Sequence, residues 1–162
     1  MSNFNRRTVI FSAALVAAFG LSAAPAVTAE GNVKTAMEAL KAETSKLGAA
    51  KLDGDSLNFG AKAINGDFAV VDDVKAKHGG TATLFAKKGN NFVRVSTNVM
   101  KDGNRAVGTI LDPSGPAYAA ISQDKPFYGM VDILGKIYDT GYEPIREGGA
   151  VIGVYYVGYP ME

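Results

Sequence analysis

The sequence predicts an α+β domain, with helices first and a mainly antiparallel sheet after them. Two patterns carry that prediction. Apolar residues recur at helical spacing over residues 33–47 and 70–77, as one buried helix face requires. From residue 81 onward they gather instead in six short β-branched or aromatic runs, most of them separated by turn residues. Elements segregated in this way build α+β domains rather than alternating α/β ones.

The first residues read as an address. Arg6 and Arg7 precede an apolar run over residues 8–20, and Val27-Thr28-Ala29 offers small side chains where a signal peptidase reads them. Cleavage is expected after Ala29, making residues 1–29 a signal peptide and Glu30 the mature N-terminus. The alternative is an uncleaved anchor, since residues 8–27 are about long enough to span a bilayer; Pro25 argues against it. The paired arginines leave Sec and twin-arginine export both open. The expected location is periplasmic or secreted. Removing two arginines and no acid leaves 15 basic and 16 acidic residues. A net charge of −1 supplies no basic stripe for nucleic acid. With no cysteine, no disulfide framework is available, and about 130 residues must stand on one hydrophobic core.

The mature elements follow in order. Val33, Ala36, Met37, Leu40 and Leu47 place one amphipathic helix over residues 33–47, within an N-terminal helical unit of residues 30–52. The ligand-binding domain is expected over residues 53–162. Asp53-Gly54-Asp55 begins like a calcium loop but lacks the remaining spacing, and is a turn. The second helix, over 70–77, stops at His78-Gly79-Gly80, since glycine past a helix end is a usual stop. Strands are expected over 81–85, 92–99, 105–111, 127–133, 136–145 and 150–159, with residues 113–122 as a short helix or loop. No later segment is apolar for long enough to cross a membrane.

The segment from Phe92 to Thr109 is the most informative. Asp102-Gly103 is a tight-turn signal that sets Met100 opposite Arg105, Asn98 opposite Val107 and Ser96 opposite Thr109. Side chains alternate between faces, so Val93, Val95, Val99, Ala106 and Ile110 share a core face. Arg94, Ser96, Asn98, Arg105 and Thr109 share the other. Two readings fit that polar face. Antiparallel sheets commonly leave one face in water, and the residues alone favour that. The same set also suits a small carboxylate, held by charge-assisted bonds from two guanidinium groups.

Other candidates carry less. His78 is the only histidine, which excludes a multi-histidine metal site and leaves a Ser-His-Asp triad without support. Gly79-Gly80 and Gly148-Gly149 lack the lysine of a phosphate loop. Neither a nucleophile with an adjacent base nor a metal cluster stands at a recognisable spacing, so no catalytic residue is assigned and no enzyme is expected.

The ordered series Gly79-Gly-Thr-Ala-Thr-Leu-Phe85, Phe92-Val-Arg-Val-Ser-Thr-Asn98, Gly103-Asn-Arg-Ala-Val-Gly-Thr109, Tyr128-Gly129, Leu134-Gly135, Tyr138, Tyr142-Glu-Pro-Ile145 and Val151-Ile-Gly-Val-Tyr-Tyr-Val-Gly158 resembles a single Cache domain of the Cache 3/Cache 2 fusion type. It extends over residues 57–159. The resemblance implies a PAS-like curved antiparallel sheet of about five to six strands, with a long N-terminal helix. It also implies a small-molecule pocket between the sheet and its covering loops. Such domains are input modules of chemoreceptors and sensor kinases, often for short organic acids. On that implication the polar face turns inward, with Arg94, Ser96, Arg105 and Thr109 as ligand contacts. Tyr128, Tyr138 and Tyr142 become walls or hydroxyl donors. No second membrane span, coiled coil or output domain follows, so a separate membrane-bound receptor, kinase or transporter is the expected partner. No cofactor is expected: one histidine and no cysteine offer little to haem. A structural module dimerising through the first helix is the alternative, and the resemblance also allows a homodimer there.

Overall fold

The computed structural model describes residues 29–161; the expected signal peptide lies almost wholly outside them. The first element, α1 (Ala29–Leu47), starts four residues before the expected helix. Val33, Ala36, Met37 and Leu40 form its buried stripe, one residue per turn-adjacent position along a single face. The chain leaves α1 through Gly48 at φ +127, where an added Cβ would lie 2.6 Å from the Gly60 Cα. Only glycine allows two backbones that close together.

A small antiparallel sheet follows, of β1 (Ala50–Asp53), β2 (Ser56–Phe59) and β3 (Lys62–Ala63). The sequence announced only its turn, Asp53-Gly54-Asp55. Leu57, Phe59 and Ile64 carry it into the core. Helix α2 (Ala69–His78) buries Val71 and Val74 and ends at Gly79, so His78 sits in a helix-ending turn as expected, its carbonyl accepting from the Tyr159 hydroxyl at 2.7 Å.

The main sheet is built of β4 (Thr81–Lys88), β5 (Asn91–Thr97), β8 (Phe127–Ile133), β9 (Lys136–Glu147) and β10 (Ala150–Pro160). Its order is β5-β4-β10-β9-β8, antiparallel throughout. Between β5 and β8 lie β6 (Met100–Lys101), β7 (Asn104–Arg105) and α3 (Pro116–Ile121). One sheet face packs on α1, α2 and the small sheet through Met37, Leu40, Leu84, Ile145 and Val157. The other carries Phe85, Phe92, Tyr142, Val154 and Tyr156, together with Ile121 and Leu111 of the segment leading from β7 to β8.

The expected hairpin is only half present. Asp102 and Gly103, at φ 50 and 78, pair Met100 with Arg105 and Lys101 with Asn104 in the predicted register. Beyond that the ladder fails, and residues 106–111 form no strand. A single bridge joins Val93 to Ile110, two residues away from the expected register. The cause lies at Asn98, whose side chain leaves the hairpin to accept from Ala82 N–H and donate to Val71 C=O, both at 2.7 Å. A second irregularity precedes it: pairing passes from Leu84–Ser96 to Phe85–Arg94, leaving Val95 as an extra residue. That bulge splits the expected polar face, sending Ser96 to the helix side and Arg94 to the opposite one. The expected core face divides as well. Val95 packs on the helix side and Val99 and Ala106 on the other, while Ile110 is exposed.

Candidate functional site

Arg94 is the centre of the site. Its guanidinium lies on the sheet face away from α1, 4.9 Å from the centroid of the Phe85 ring, and the residue is only 4% exposed. The segment 108–111 is laced to the edge of β5, with Arg94 N–H donating to Thr109 C=O and Gly108 N–H to Arg94 C=O, each at 2.9 Å. This lacing sets Thr109 beside the Arg94 side chain. The Thr109 hydroxyl gives its proton to Ala106 C=O, so its oxygen is free to accept from Arg94 Nη1 at 2.7 Å. Arg94 Nε has no hydrogen-bond partner. Among the described residues no carboxylate forms an ion pair with this guanidinium. Burial therefore pulls its pKa below the ordinary arginine value, against the favourable Tyr142 and Tyr156 phenols.

Tyr142, on β9, completes the group. Its ring packs 5.0 Å from that of Tyr156 and 6.2 Å from that of Phe127. Burial raises its phenol pKa well above the usual value, which keeps the hydroxyl protonated. Arg94 and Tyr142 line a cavity of about 100 Å³, walled by Leu111, Ile133 and Leu134 among others. The lining thus holds one buried cation, one phenol, the carboxylates of Asp112 and Asp132, and otherwise aliphatic side chains.

The other expected contacts are placed elsewhere. Arg105 forms a two-pronged ion pair with Asp72 of α2, Nη1 to Oδ1 and Nη2 to Oδ2, both at 2.8 Å. It also donates to Thr97 C=O and stacks 4.3 Å from the Phe68 ring centroid. The hydrogen bond from Arg105 holds the Asp72 carboxyl below its ordinary value, against the opposing effect of burial. This guanidinium already has its carboxylate. Ser96 donates to Asp67 C=O on the helix side. Tyr128 also faces α1, where its hydroxyl donates to Glu143 Oε1 at 2.6 Å. Tyr138 lies on the same sheet face as Tyr142 but borders a wider neighbouring cleft of about 430 Å³, with Thr81, Lys75 and Lys136, that shares Ile133 and Leu134 with the Arg94 cavity. Of seven expected contacts, the structure thus brings together Arg94, Thr109 and Tyr142.

Three contributors escaped the sequence reading. Asp72 stands 33 residues before the arginine it pairs with, and nothing in the sequence links them. Phe85 under Arg94 becomes visible only once the bulge is known. Leu134 had a signal: with Gly135 it fills a two-residue turn between two strand runs, a slot that favours asparagine, aspartate or glycine.

Among the described residues no cluster of three or more His, Cys, Asp or Glu side chains is placed to hold a metal, and no helix is long and apolar enough to cross a membrane. Comparison with known proteins gives one family match, to the Cache 3/Cache 2 fusion domain over residues 13–162. Comparison with curated proteins gives no match. Among solved structures, the GAF domain of a phosphoenolpyruvate-protein phosphotransferase from Coxiella burnetii aligns at a TM-score of 0.49 and 13% identity, covering 83% of this chain and 84% of that one. A methyl-accepting chemotaxis protein aligns at 0.48 and 16%, covering 81% and 56%. The ligand-binding domain of a Campylobacter jejuni chemoreceptor, in complex with L-valine, aligns at 0.45 and 13%, covering 82% and 58%. The chain thus spans a little over half of either receptor chain.

Proposed function

The chain belongs to the Cache 3/Cache 2 fusion domain family, and from that premise we propose that it is an exported sensory domain that binds a short organic acid by its carboxylate. Cache domains are extracytoplasmic sensory domains. The observation that carries the acid is Arg94: a guanidinium 4% exposed, with no ion-paired carboxylate among the described residues, lining a cavity. Arginine stays protonated at any working pH, and a buried charge without a counter-ion costs several kcal/mol. A carboxylate in the cavity supplies that counter-ion on one oxygen and takes the Tyr142 hydroxyl on the other. The volume, about that of three liquid water molecules, limits the ligand to a short acid. A membrane-bound receptor, kinase or transporter as recipient of the signal belongs to the same reading.

The test is a thermal-shift screen of the full chain against short organic acids, amines and neutral apolar compounds. A binder raises the melting temperature by mass action, about 2.7 kcal/mol at a hundredfold excess over Kd. Hits confined to acids support the reading; hits only among amines or neutral compounds refute it.

A further inference from the structure

We infer that the acid this site takes is a short aliphatic monocarboxylate, and that Leu134 sets the preference by holding an apolar side chain at the cavity mouth. The inference rests on the carboxylate reading above and narrows it. Among the described residues, Arg94 is the only cationic side chain of the lining, and Tyr142 the only other side chain there with a proton to give. The remaining polar side chains are Asp112 and Asp132, and each is engaged in its own turn. Asp112 Oδ1 accepts from the Ser114 N–H and hydroxyl, and Asp132 Oδ1 from the Gly135 N–H. Ionised carboxylates only accept hydrogen bonds. A second acid group on the ligand therefore meets like charge.

Leu134 needs an explanation of its own. In the turn between β8 and β9 it stands at φ +55, a left-handed conformation disfavoured for any side chain with a Cβ and suited to Asn, Asp or Gly. Burial does not offset that strain, because the residue is 44% exposed. Strain that folding does not require is a mark of functional positions, and what Leu134 contributes is aliphatic surface at the cavity. Ile110, exposed to the same extent, lines the same cavity. A ligand tail running out from the Arg94 anchor covers both.

Isothermal titration of the full chain with acetate, propionate and butyrate, and with malonate, tests this. Each methylene added up to butyrate tightens binding, by up to about fourfold. Malonate binds at least about tenfold more weakly than propionate, through repulsion from Asp112 and Asp132. Leu134→Asn suits the turn, so its melting temperature without ligand equals or exceeds that of the wild type, and it flattens the acetate-to-butyrate series. Malonate binding as tightly as propionate, or a series that survives in L134N, overturns the inference and leaves the carboxylate reading intact. Binding of none of these acids by the wild-type chain overturns both.

Discussion

Replacing Arg94 by methionine separates a ligand anchor from a structural cation. In the ligand-free protein the guanidinium carries a desolvation cost of several kcal/mol, since it is buried without a carboxylate. It is offset by a charge-assisted hydrogen bond to Thr109, worth about 1.5–3 kcal/mol, and by the stack on Phe85, worth about 2 kcal/mol where desolvated. Methionine keeps the stem packed and gains a sulfur–aromatic contact of about 0.3–1.5 kcal/mol. The opposing quantities nearly cancel, so Arg94→Met is expected to change ligand-free stability by no more than about 1 kcal/mol, or roughly 3 °C in melting temperature for a chain of this size. Binding loses two or more charge-assisted hydrogen bonds, about 3 kcal/mol or a hundredfold and more in Kd. Urea unfolding with and without a bound acid reads both quantities. A loss of 3 kcal/mol or more in the ligand-free variant, the cost of breaking a buried ion pair, or an acid-induced shift that persists, refutes the reasoning.

Tyr142→Phe removes the second donor of the cavity while keeping its ring packing on Tyr156 and Phe127; acid affinity is expected to fall about fivefold, for a hydrogen bond of about 1 kcal/mol, by titration calorimetry. Arg105→Ala leaves acid affinity unchanged, because its fork is already occupied by Asp72, and costs only about 0.5–1 kcal/mol of stability for a pair this open to solvent. The Asp72 carboxyl, held below 3.8 when folded, adds stability that is full above that value and fades as pH falls through the lower folded one. The melting-temperature gap between wild type and Asp72→Asn is therefore expected to close as pH drops below about 4; a gap that widens there contradicts the pairing. Asn98→Ala strands Ala82 N–H and Val71 C=O inside the protein and is expected to cost about 2–4 kcal/mol in urea unfolding.

Much of the fold was legible because local signals agreed. Both leading helices show apolar spacing and glycine stops, and strands β8 to β10 are long β-branched and aromatic runs. The tiny strands β1 to β3 were missed because four residues are too few to show a period. The site was legible in its residue types and less so in its geometry. Alternation placed Arg94, Ser96 and Arg105 on one face, and the extra residue at Val95 broke that count without leaving any compositional trace. Arg105 looked like a twin of Arg94, but α2 brings Asp72 to it through tertiary packing, which no local pattern records. Tyr128 and Tyr142 were indistinguishable as strand aromatics. They are directed oppositely because Tyr128 stands opposite Gly141 and Phe127 opposite Tyr142.

Tyr142 has a neighbour that gives its position a mechanical meaning. Glu143 follows it on β9 and so projects through the sheet to the other side, where it grips Lys41 of α1 at 2.5 Å and receives the Tyr128 hydroxyl. One peptide unit thus joins the cavity wall to the helix. Any displacement of the backbone at Tyr142 would carry Glu143 with it, so the two sides of the sheet share one hinge of chain at the Lys41 contact.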